Sequence, residues 1–213
     1  MYVQVHPDNP QARHIERAVE MLRAGGVIIY PTDTVYGIGC SIQDTRAIDR
    51  IYQIKGQSPS KPFSFICSDL SHISEYAKVS NTSYRLMKHL IPGPYTFILP
   101  ASRLMNIPKS VISTRKTVGI RVPKNSICQA IVRELGHPIL SASVLDRDGG
   151  ILHDPELIKR AFGERVDMIL DGGHGLLNFS TVLDLTGEQP IVEREGAGEV
   201  QDMLVGDHVR SVA

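Results

Sequence analysis

The 213-residue sequence contains no tryptophan, few other aromatic residues and only three cysteines. Cys40, Cys67 and Cys128 lie far apart and form no Cys-x-x-Cys pair, which excludes a disulfide framework or a zinc knuckle. Each is interpreted as a small buried apolar residue in a reducing compartment. No apolar run reaches the length of a membrane span, and the first residues lack the apolar core of a signal peptide. A cytoplasmic protein is therefore expected.

The signatures of several common enzyme classes are also missing. The chain has no Gly-x-x-x-x-Gly-Lys-Ser/Thr phosphate loop, no Gly-x-Gly-x-x-Gly, no His-Glu-x-x-His and no Gly-x-Ser-x-Gly. Gly37-Ile38-Gly39 is too short to indicate dinucleotide binding. If the chain is an enzyme, its chemistry is expected to rest on positioning and on cationic stabilisation of phosphate charge.

Acidic residues are absent from one long stretch, although the whole chain has equal numbers of basic and acidic residues. Residues 76–133 contain ten Lys and Arg and no Asp or Glu, whereas residues 134–213 carry fifteen acidic and six basic residues. Positive potential attracts the phosphates of nucleotides or RNA. This basic block indicates either an anion-binding surface or cations that pair with the acidic tail in the folded protein.

Residues 30–40 form the most informative segment, Tyr-Pro-Thr-Asp-Thr-Val-Tyr-Gly-Ile-Gly-Cys. They follow the apolar run Val27-Ile28-Ile29, which predicts a buried strand over residues 27–30. Polar groups at the end of a buried strand are where α/β proteins place ligands. The segment is therefore either a ligand-binding loop or a turn whose hydroxyls bond the local backbone.

Hydrophobic periodicity along the rest of the chain predicts one α/β domain, residues 1–213, with a mixed sheet. Asp154 is a plausible N-cap for one of the helices. The predicted helices span residues 14–23, 45–54, 83–90, 126–135 and 155–162, and the remaining strands span residues 62–67, 95–99, 117–122, 139–144, 168–170, 181–184 and 191–195.

Seven motifs in order, between about Gly25 and Gly198, resemble those of the YrdC-like family. The resemblance implies a YrdC/RibB-like fold, a twisted mixed sheet flanked by helices, with a concave basic face associated with nucleotide and double-stranded RNA binding. The motifs are Tyr30-Pro-Thr-Asp-Thr-Val-Tyr-Gly-Ile-Gly, Ile51-Tyr-Gln-Ile-Lys-Gly, Lys61-Pro, Pro92-Gly-Pro-Tyr-Thr, Thr117-Val-Gly-Ile-Arg-Val-Pro, Ser180-Thr-Val-Leu-Asp and Arg194-Glu-Gly.

The resemblance implies synthesis of threonylcarbamoyl-adenylate from threonine, bicarbonate and ATP, the first step towards a modified adenosine in tRNA. Magnesium would accompany ATP as part of the substrate, bound chiefly by phosphate oxygens, with no metal ligands of the protein itself. The implied catalytic residues are Lys55, Lys61 and Arg121; the implied amino-acid site is Thr32, Thr34, Tyr36, Arg121 and Ser180; and the implied nucleotide site is Lys55, Lys61, Thr117, Ser141, Ser143 and Arg194.

Each assignment has a structural alternative. Thr34 could cap the loop, Arg121 could form a surface ion pair, and Arg194 could bridge to Glu193 or Glu195. The two lysines could be solvated, and the serines could bond only the backbone.

Three positions depart from the family pattern. The family's Lys-x-Arg is Lys55-Gly56-Gln57 here, which removes a phosphate-facing cation, and its Ser-x-Asn is Ser141-Ala142-Ser143, which removes an amide. At the end of the second predicted strand, where many members have a histidine, this chain has Ile66. A guanidinium aimed at a transition state contributes roughly 10²–10³ in rate. The chain therefore resembles the YciO branch, with weak or altered activity.

Three hypotheses follow from the sequence. The first is a YciO-like nucleotide-binding enzyme with at most weak threonylcarbamoyl-adenylate synthase activity. The second is a module that binds double-stranded RNA or tRNA without catalysis. The third is an ATP-dependent enzyme acting on another carbamate or carboxylate, since Ile66 would make the acceptor pocket more apolar.

Overall fold

The computed structural model describes residues 1–58, 63–102 and 115–200 and the backbone of a final strand, Arg210–Ser211. These residues form six helices and eleven strands. The helices are α1 (Ala12–Arg23), α2 (Thr45–Lys55), α3 (Leu70–Tyr76), α4 (Asn81–Leu90), α5 (Ser126–Leu135) and α6 (Pro155–Phe162). The strands are β1 (Tyr2–Gln4), β2 (Ile28–Tyr30), β3 (Gly37–Ser41), β4 (Ser64–Ile66), β5 (Tyr95–Pro100), β6 (Thr117–Arg121), β7 (Ile139–Ser143), β8 (Met168–Asp171), β9 (Thr181–Asp184), β10 (Ile191–Arg194) and β11 (Arg210–Ser211).

The described strands form a single mixed sheet in the order β1-β8-β2-β3-β7-β4-β6-β5-β9-β10-β11. In its central part β7 is antiparallel to both β3 and β4, whereas β4 and β6 run parallel. Strand β5 is antiparallel to β6 and parallel to β9. The predicted mixed α/β fold is confirmed.

Alternating side chains divide the interior into two cores on opposite faces of the sheet. In β2, Ile29 belongs to a large core under α2, α3, α4 and α6, and Ile28 to a small core under α1 and α5. Phe65 and Ile66 of β4 are divided in the same way. Helices α1 and α5 pack on one another, and the other half of their side of the sheet holds the cavity described below.

Several elements match the sequence prediction residue for residue, namely α5, α6 and β9. Helix α6 begins as expected, because the Asp154 side chain accepts a hydrogen bond from the Glu156 N–H and Pro155 occupies the first turn. Strand β1 and helix α3 were not predicted. Both are short, and α3 depends on a cap in which Asp69 accepts from the His72 N–H.

The segment predicted as one polar loop is a hairpin, and the prediction was wrong for its second half. Strand β3 pairs with β2 on one side and with β7 on the other. Gly37 and Gly39 permit this, because a Cβ atom at either position would lie 3.1 Å from the Tyr30 ring. The two glycines therefore make room for a buried tyrosine within the sheet.

The three cysteines are buried free thiols, as predicted. Burial raises the pKa of Cys128 to about 12, so this thiol stays protonated and unreactive at neutral pH. A search of the described helices for one both long and apolar enough to cross a membrane found none.

Candidate functional site

A cavity of about 460 Å³ lies on the sheet face opposite the large core. Strand β6 shows how alternation produces it. Val118 and Ile120 point into the large core, whereas Thr117, Gly119 and Arg121 line the cavity. Arg121 therefore lies on the face opposite its apolar neighbours.

Small residues at paired positions form the cavity floor. Ser141 of β7 pairs with Ser64 of β4, which pairs with Gly119 of β6. A Cβ atom on Gly119 would lie 3.2 Å from the Ser64 Oγ, so a larger residue would fill the floor. From below, the buried Tyr30 hydroxyl donates to the Ser141 Oγ at 2.7 Å. Burial raises the pKa of Tyr30, which keeps the phenol neutral.

Lys55 reaches the cavity from the last residue of α2. The helix ends there because Gly56 adopts the left-handed conformation, with φ of 60°. The Lys55 Nζ donates to the Ser143 carbonyl oxygen at 2.7 Å, which directs the ammonium towards the end of β7. Burial, and then the charge of Arg165, lower the pKa of Lys55.

Arg121 forms a buried ion pair with Asp33. No role for Asp33 was predicted from the sequence. Asp33 also accepts the Lys124 backbone N–H at 2.9 Å, so its carboxylate is fixed from two directions. The Arg121 residue is only 7% exposed, and among the described residues its Nε has no hydrogen-bond partner. One edge of the guanidinium is thus held by protein while a further donor is unused.

Arg194 enters from β10 on the opposite side of the cavity. Its Nη2 donates to the Ser180 carbonyl oxygen at 2.8 Å, and its guanidinium lies 5.1 Å from the Phe179 ring centre. The Thr96 and Ser180 hydroxyls are 2.8 Å apart. Burial, and then the charge of Arg121, lower the pKa of Arg194. Within the described residues Arg194 forms no salt bridge, so the expected alternative of a bridge to a neighbouring glutamate is not observed.

The β2–β3 connection is both a structured turn and part of the cavity wall. The Thr32 hydroxyl donates to the Val35 carbonyl at 2.6 Å and accepts the Thr34 N–H at 3.1 Å. Thr32 and Tyr36 line the cavity. Thr34 is fully buried behind Thr32, with the two hydroxyls 3.2 Å apart, and is not part of the lining. The Tyr36 hydroxyl donates to the Gly173 carbonyl at 2.6 Å, which fixes the end of the turn.

The structure brings most of the residues predicted for the site to this one cavity, although they come from five of the seven motifs and from residues 141–143. Thr34 lies behind the wall, and Lys61 falls outside the described residues. The predicted residues that line the cavity are Thr32, Tyr36, Lys55, Thr117, Arg121, Ser141, Ser143, Ser180 and Arg194.

Sequence reasoning missed other residues of the site. Asp33, Thr96 and Gly119 lie inside the quoted motifs, so their chemistry could have been considered there. Ser64 and Phe179 carried no signal of their own, because only strand pairing and the stacking of Arg194 bring them to the cavity.

The three departures from the family pattern all line the cavity. Gln57 follows Lys55 by two residues in the chain, and the Ser143 carbonyl accepts a hydrogen bond from the Lys55 ammonium. Ile66 of β4 pairs with Arg121 of β6. Gln57, Ser143 and Ile66 therefore all belong to the lining of the cavity.

The basic block supplies only one of the cations in the described lining of the cavity. Of its described members only Arg121 lines the cavity; Lys55 and Arg194 come from outside the block. Arg115 and Lys116 face a second depression that also contains Asp184 and Glu193 of the acidic tail. The concave site is cationic, but its cations are assembled from distant parts of the chain.

Fold and cavity together define a single-domain α/β protein with a cationic, hydroxyl-lined cavity on one face of a mixed sheet. The model of the Sua5/YciO/YrdC family, described as "Telomere recombination", matches residues 20–196. The chain belongs to this family.

Its relatives include both branches considered above. YciO of Escherichia coli (strain K12) is 45% identical over 202 residues, covering 94% of this chain and 97% of the relative. The crystal structure of E. coli YciO matches with a TM-score of 0.88 at 45% identity, covering 94% of this chain and 98% of that one.

A threonylcarbamoyl-AMP synthase and a Sua5 protein are also similar. A threonylcarbamoyl-AMP synthase of Nitrosococcus oceani is 32% identical over 198 residues, covering 92% of this chain and 96% of the relative. The crystal structure of P. abyssi Sua5 complexed with L-threonine matches with a TM-score of 0.90 and 25% identity, covering 99% of this chain and 62% of that one.

Proposed function

We propose that the cavity binds threonine, or a similar small amino acid, beside the α-phosphate of ATP and forms a threonylcarbamoyl-adenylate at a low rate. One observation carries this proposal: Lys55, Arg121 and Arg194 converge on one cavity whose described lining contains no carboxylate. Such a cavity suits a polyanion and a carboxylate bound side by side.

The amino acid would lie against Arg121. Its carboxylate would accept from the Arg121 guanidinium, which lines the cavity, while Asp33 holds the Nη2 of the same group. The Thr32 and Ser180 side chains line the same cavity and would contact the rest of the amino acid. The likeness to P. abyssi Sua5, whose structure was determined with L-threonine, supports this assignment.

The nucleotide would occupy the part of the cavity between Lys55 and Arg194. Lys55 would face the phosphates, and the rest of the nucleotide would lie along the part of the lining that contains Thr117, Ser141 and Ser143. Lys61, outside the described residues, remains a prediction of a second phosphate-facing lysine. Magnesium would enter with the triphosphate as part of the substrate, bound chiefly by phosphate oxygens.

The reaction uses bicarbonate as the source of carbon dioxide. The threonine amine bonds to carbon dioxide and loses a proton to give a carbamate. A carbamate oxygen then attacks the α-phosphorus, the bond between that phosphorus and the bridging oxygen breaks, and pyrophosphate leaves with the electron pair. The cavity would contribute positioning and cations for the charge that develops on phosphate.

A low or altered rate follows from the departures within the cavity. Gln57 is uncharged, whereas an arginine at this position would place a guanidinium beside the phosphates. If that guanidinium acted at the transition state, its absence would lower the rate by roughly 10²–10³. Ile66 beside Arg121 makes the amino-acid end more apolar. A different carbamate or carboxylate acceptor is therefore the competing assignment within the same cavity.

The test is incubation of the protein with ATP, bicarbonate and labelled threonine, followed by detection of pyrophosphate and the adenylate. A parallel reaction replaces threonine with valine, which is matched in shape but lacks the hydroxyl. Adenylate formed from threonine supports the proposal, whereas product from valine alone reassigns the acceptor. Absence of product together with absence of ATP binding in calorimetry overturns the proposal.

Duplex RNA is the competing ligand class, and the same sample tests it. Tight binding of a duplex whose affinity falls steeply as salt increases, without adenylate formation, would favour an RNA-binding module over an enzyme.

A further inference from the structure

Another cavity, of about 670 Å³ and distinct from the depression at Arg115 and Lys116, adjoins the candidate site. Lys55 and Leu145 line both this cavity and the site, which is called the first cavity below. Its other walls come from the end of α2, the turn after β7 and the end of α6. We call it the arginine cavity, after Arg147, Arg160 and Arg165 in its lining. None of the sequence motifs includes these three arginines.

The charge balance of the arginine cavity is strongly positive. Its described lining contains four cations, Lys55 and the three arginines, against the single carboxylate of Asp146. That carboxylate is already engaged, since its Oδ1 accepts the backbone N–H groups of Asp148 at 2.9 Å and Gly150 at 2.7 Å. Asp146 therefore holds the turn that carries Arg147, and it forms no ion pair with any of the three arginines among the described residues.

One of the arginines is fixed and the other two are available. Arg165 donates to the Ile54 carbonyl at the end of α2, and its guanidinium lies 5.4 Å from the Phe162 ring centre. Arg147 and Arg160 are exposed and form no ion pair with any described residue. A fixed cation beside two free ones is an arrangement that suits a multiply charged anion.

Lys55 connects the two cavities electrostatically as well as by position. The charge of Arg165 contributes to lowering the pKa of Lys55, so the two cations lie close enough to repel. A bound polyanion between them would relieve that repulsion. Lys55 also donates to the Ser143 carbonyl, and Gln57, which lines the first cavity two residues further along the chain, adds no charge there.

We propose that the arginine cavity binds a pyrophosphate group, either as free inorganic pyrophosphate or as the terminal phosphates of a nucleotide whose remainder lies in the first cavity. The second form rests on the proposed function; the first does not. Arg147 and Arg160 bind the pyrophosphate group. The charges of Arg165 and Lys55 make the electrostatic potential inside the cavity more positive.

Calorimetric titration of the full chain with inorganic pyrophosphate, AMP and ATP with magnesium tests the proposal. The variants are Arg147→Gln, Arg160→Gln and the double substitution, all at exposed positions where folding is not at risk. Arg85→Gln is the matched control, because Arg85 is an exposed arginine on α4 that lines neither cavity.

Each single substitution is expected to weaken pyrophosphate and ATP binding about threefold to tenfold, and the double variant more, while AMP binding and the Arg85 control stay unchanged. Pyrophosphate binding should also weaken as salt increases. Pyrophosphate binding without AMP binding would uphold the arginine cavity and contradict nucleotide binding in the first. No binding of pyrophosphate, or equal affinity in the double variant, would overturn the proposal.

Discussion

Arg121 and Asp33, 88 positions apart in the chain, form a buried ion pair that ties strand β6 to the β2–β3 connection. The pair explains how a charged side chain can be held at the floor of the cavity. The carboxylate orients one edge of the guanidinium and leaves the Nε without a described partner. Because the pair is buried, its loss should affect both folding and binding.

Replacing Asp33 with asparagine keeps the shape and removes the charge. The buried Arg121 would lose its counter-charge, and breaking a buried pair from one side costs about 3 kcal/mol. Urea denaturation should therefore show lower stability, and calorimetry should show weaker threonine binding. Asp49→Asn, at an exposed position on α2, is the control.

The double variant Asp33→Asn with Arg121→Met separates stability from binding. Removing both charges should recover much of the lost stability while threonine binding remains lost. Recovery of threonine binding in that variant would show that Arg121 does not bind the amino acid.

Gln57→Arg would restore a cation to the cavity. We expect adenylate formation to rise at least tenfold, because a positioned guanidinium stabilises the charge that develops on phosphate. Pyrophosphate release measures the rate. Gln43→Arg adds the same charge at an exposed residue outside the cavity lining and should change nothing. An unchanged rate in Gln57→Arg would favour lost or redirected chemistry.

Lys55 predicts a pH dependence of nucleotide binding. Its pKa is lowered from the ordinary 10.5 by burial and by Arg165, so the ammonium loses its proton at lower pH than a free lysine. ATP affinity should fall as pH rises through that lowered value. Burial raises the pKa of Tyr36, so this phenol stays neutral over the same range.

Unfolding of the protein at high pH would not explain this loss of ATP affinity. In the window between the lowered pKa and 10.5 the unfolded chain binds more protons at Lys55 than the folded chain, so this residue makes stability increase with pH. Lys55→Arg should retain affinity across the window, because a guanidinium stays charged above pH 12. Equal pH profiles for the two proteins would remove Lys55 from the phosphate site.

Gly119→Val would fill the cavity floor. The new Cβ would lie 3.2 Å from the Ser64 Oγ, so the hydroxyl must shift by a few tenths of an ångström, at a stability cost of about 1 kcal/mol. Ligand binding should fall tenfold or more, measured by calorimetry with ATP and threonine. Gly187→Val, in an exposed turn, is the matched control. Undiminished binding would place the ligands elsewhere.

Elements with strong local signals were predicted well from the sequence. Helix α6 has a capping aspartate, a proline in its first turn and apolar residues at helical spacing, and all of these act within a few residues. Strand β3 was missed because Gly37 and Gly39 carry no strand preference. It forms because β2 and β7 supply hydrogen bonds on both sides, which no local pattern records.

The family, the α/β class and nine of the residues that line the cavity could be predicted from the ordered motifs and the alternation of the strands, which are local properties of the chain. Which charges act together depends on the tertiary structure. Arg121 belongs to the basic block, but Lys55, Arg194 and Asp33 reach it only through strand pairing and helix packing. The importance of residues 30–40 could be recognised from their composition. Only the folded structure shows that this segment contributes a cavity wall, one partner of a buried ion pair and a central strand. The reason is that electrostatic contacts depend on distance in space and not on separation along the chain.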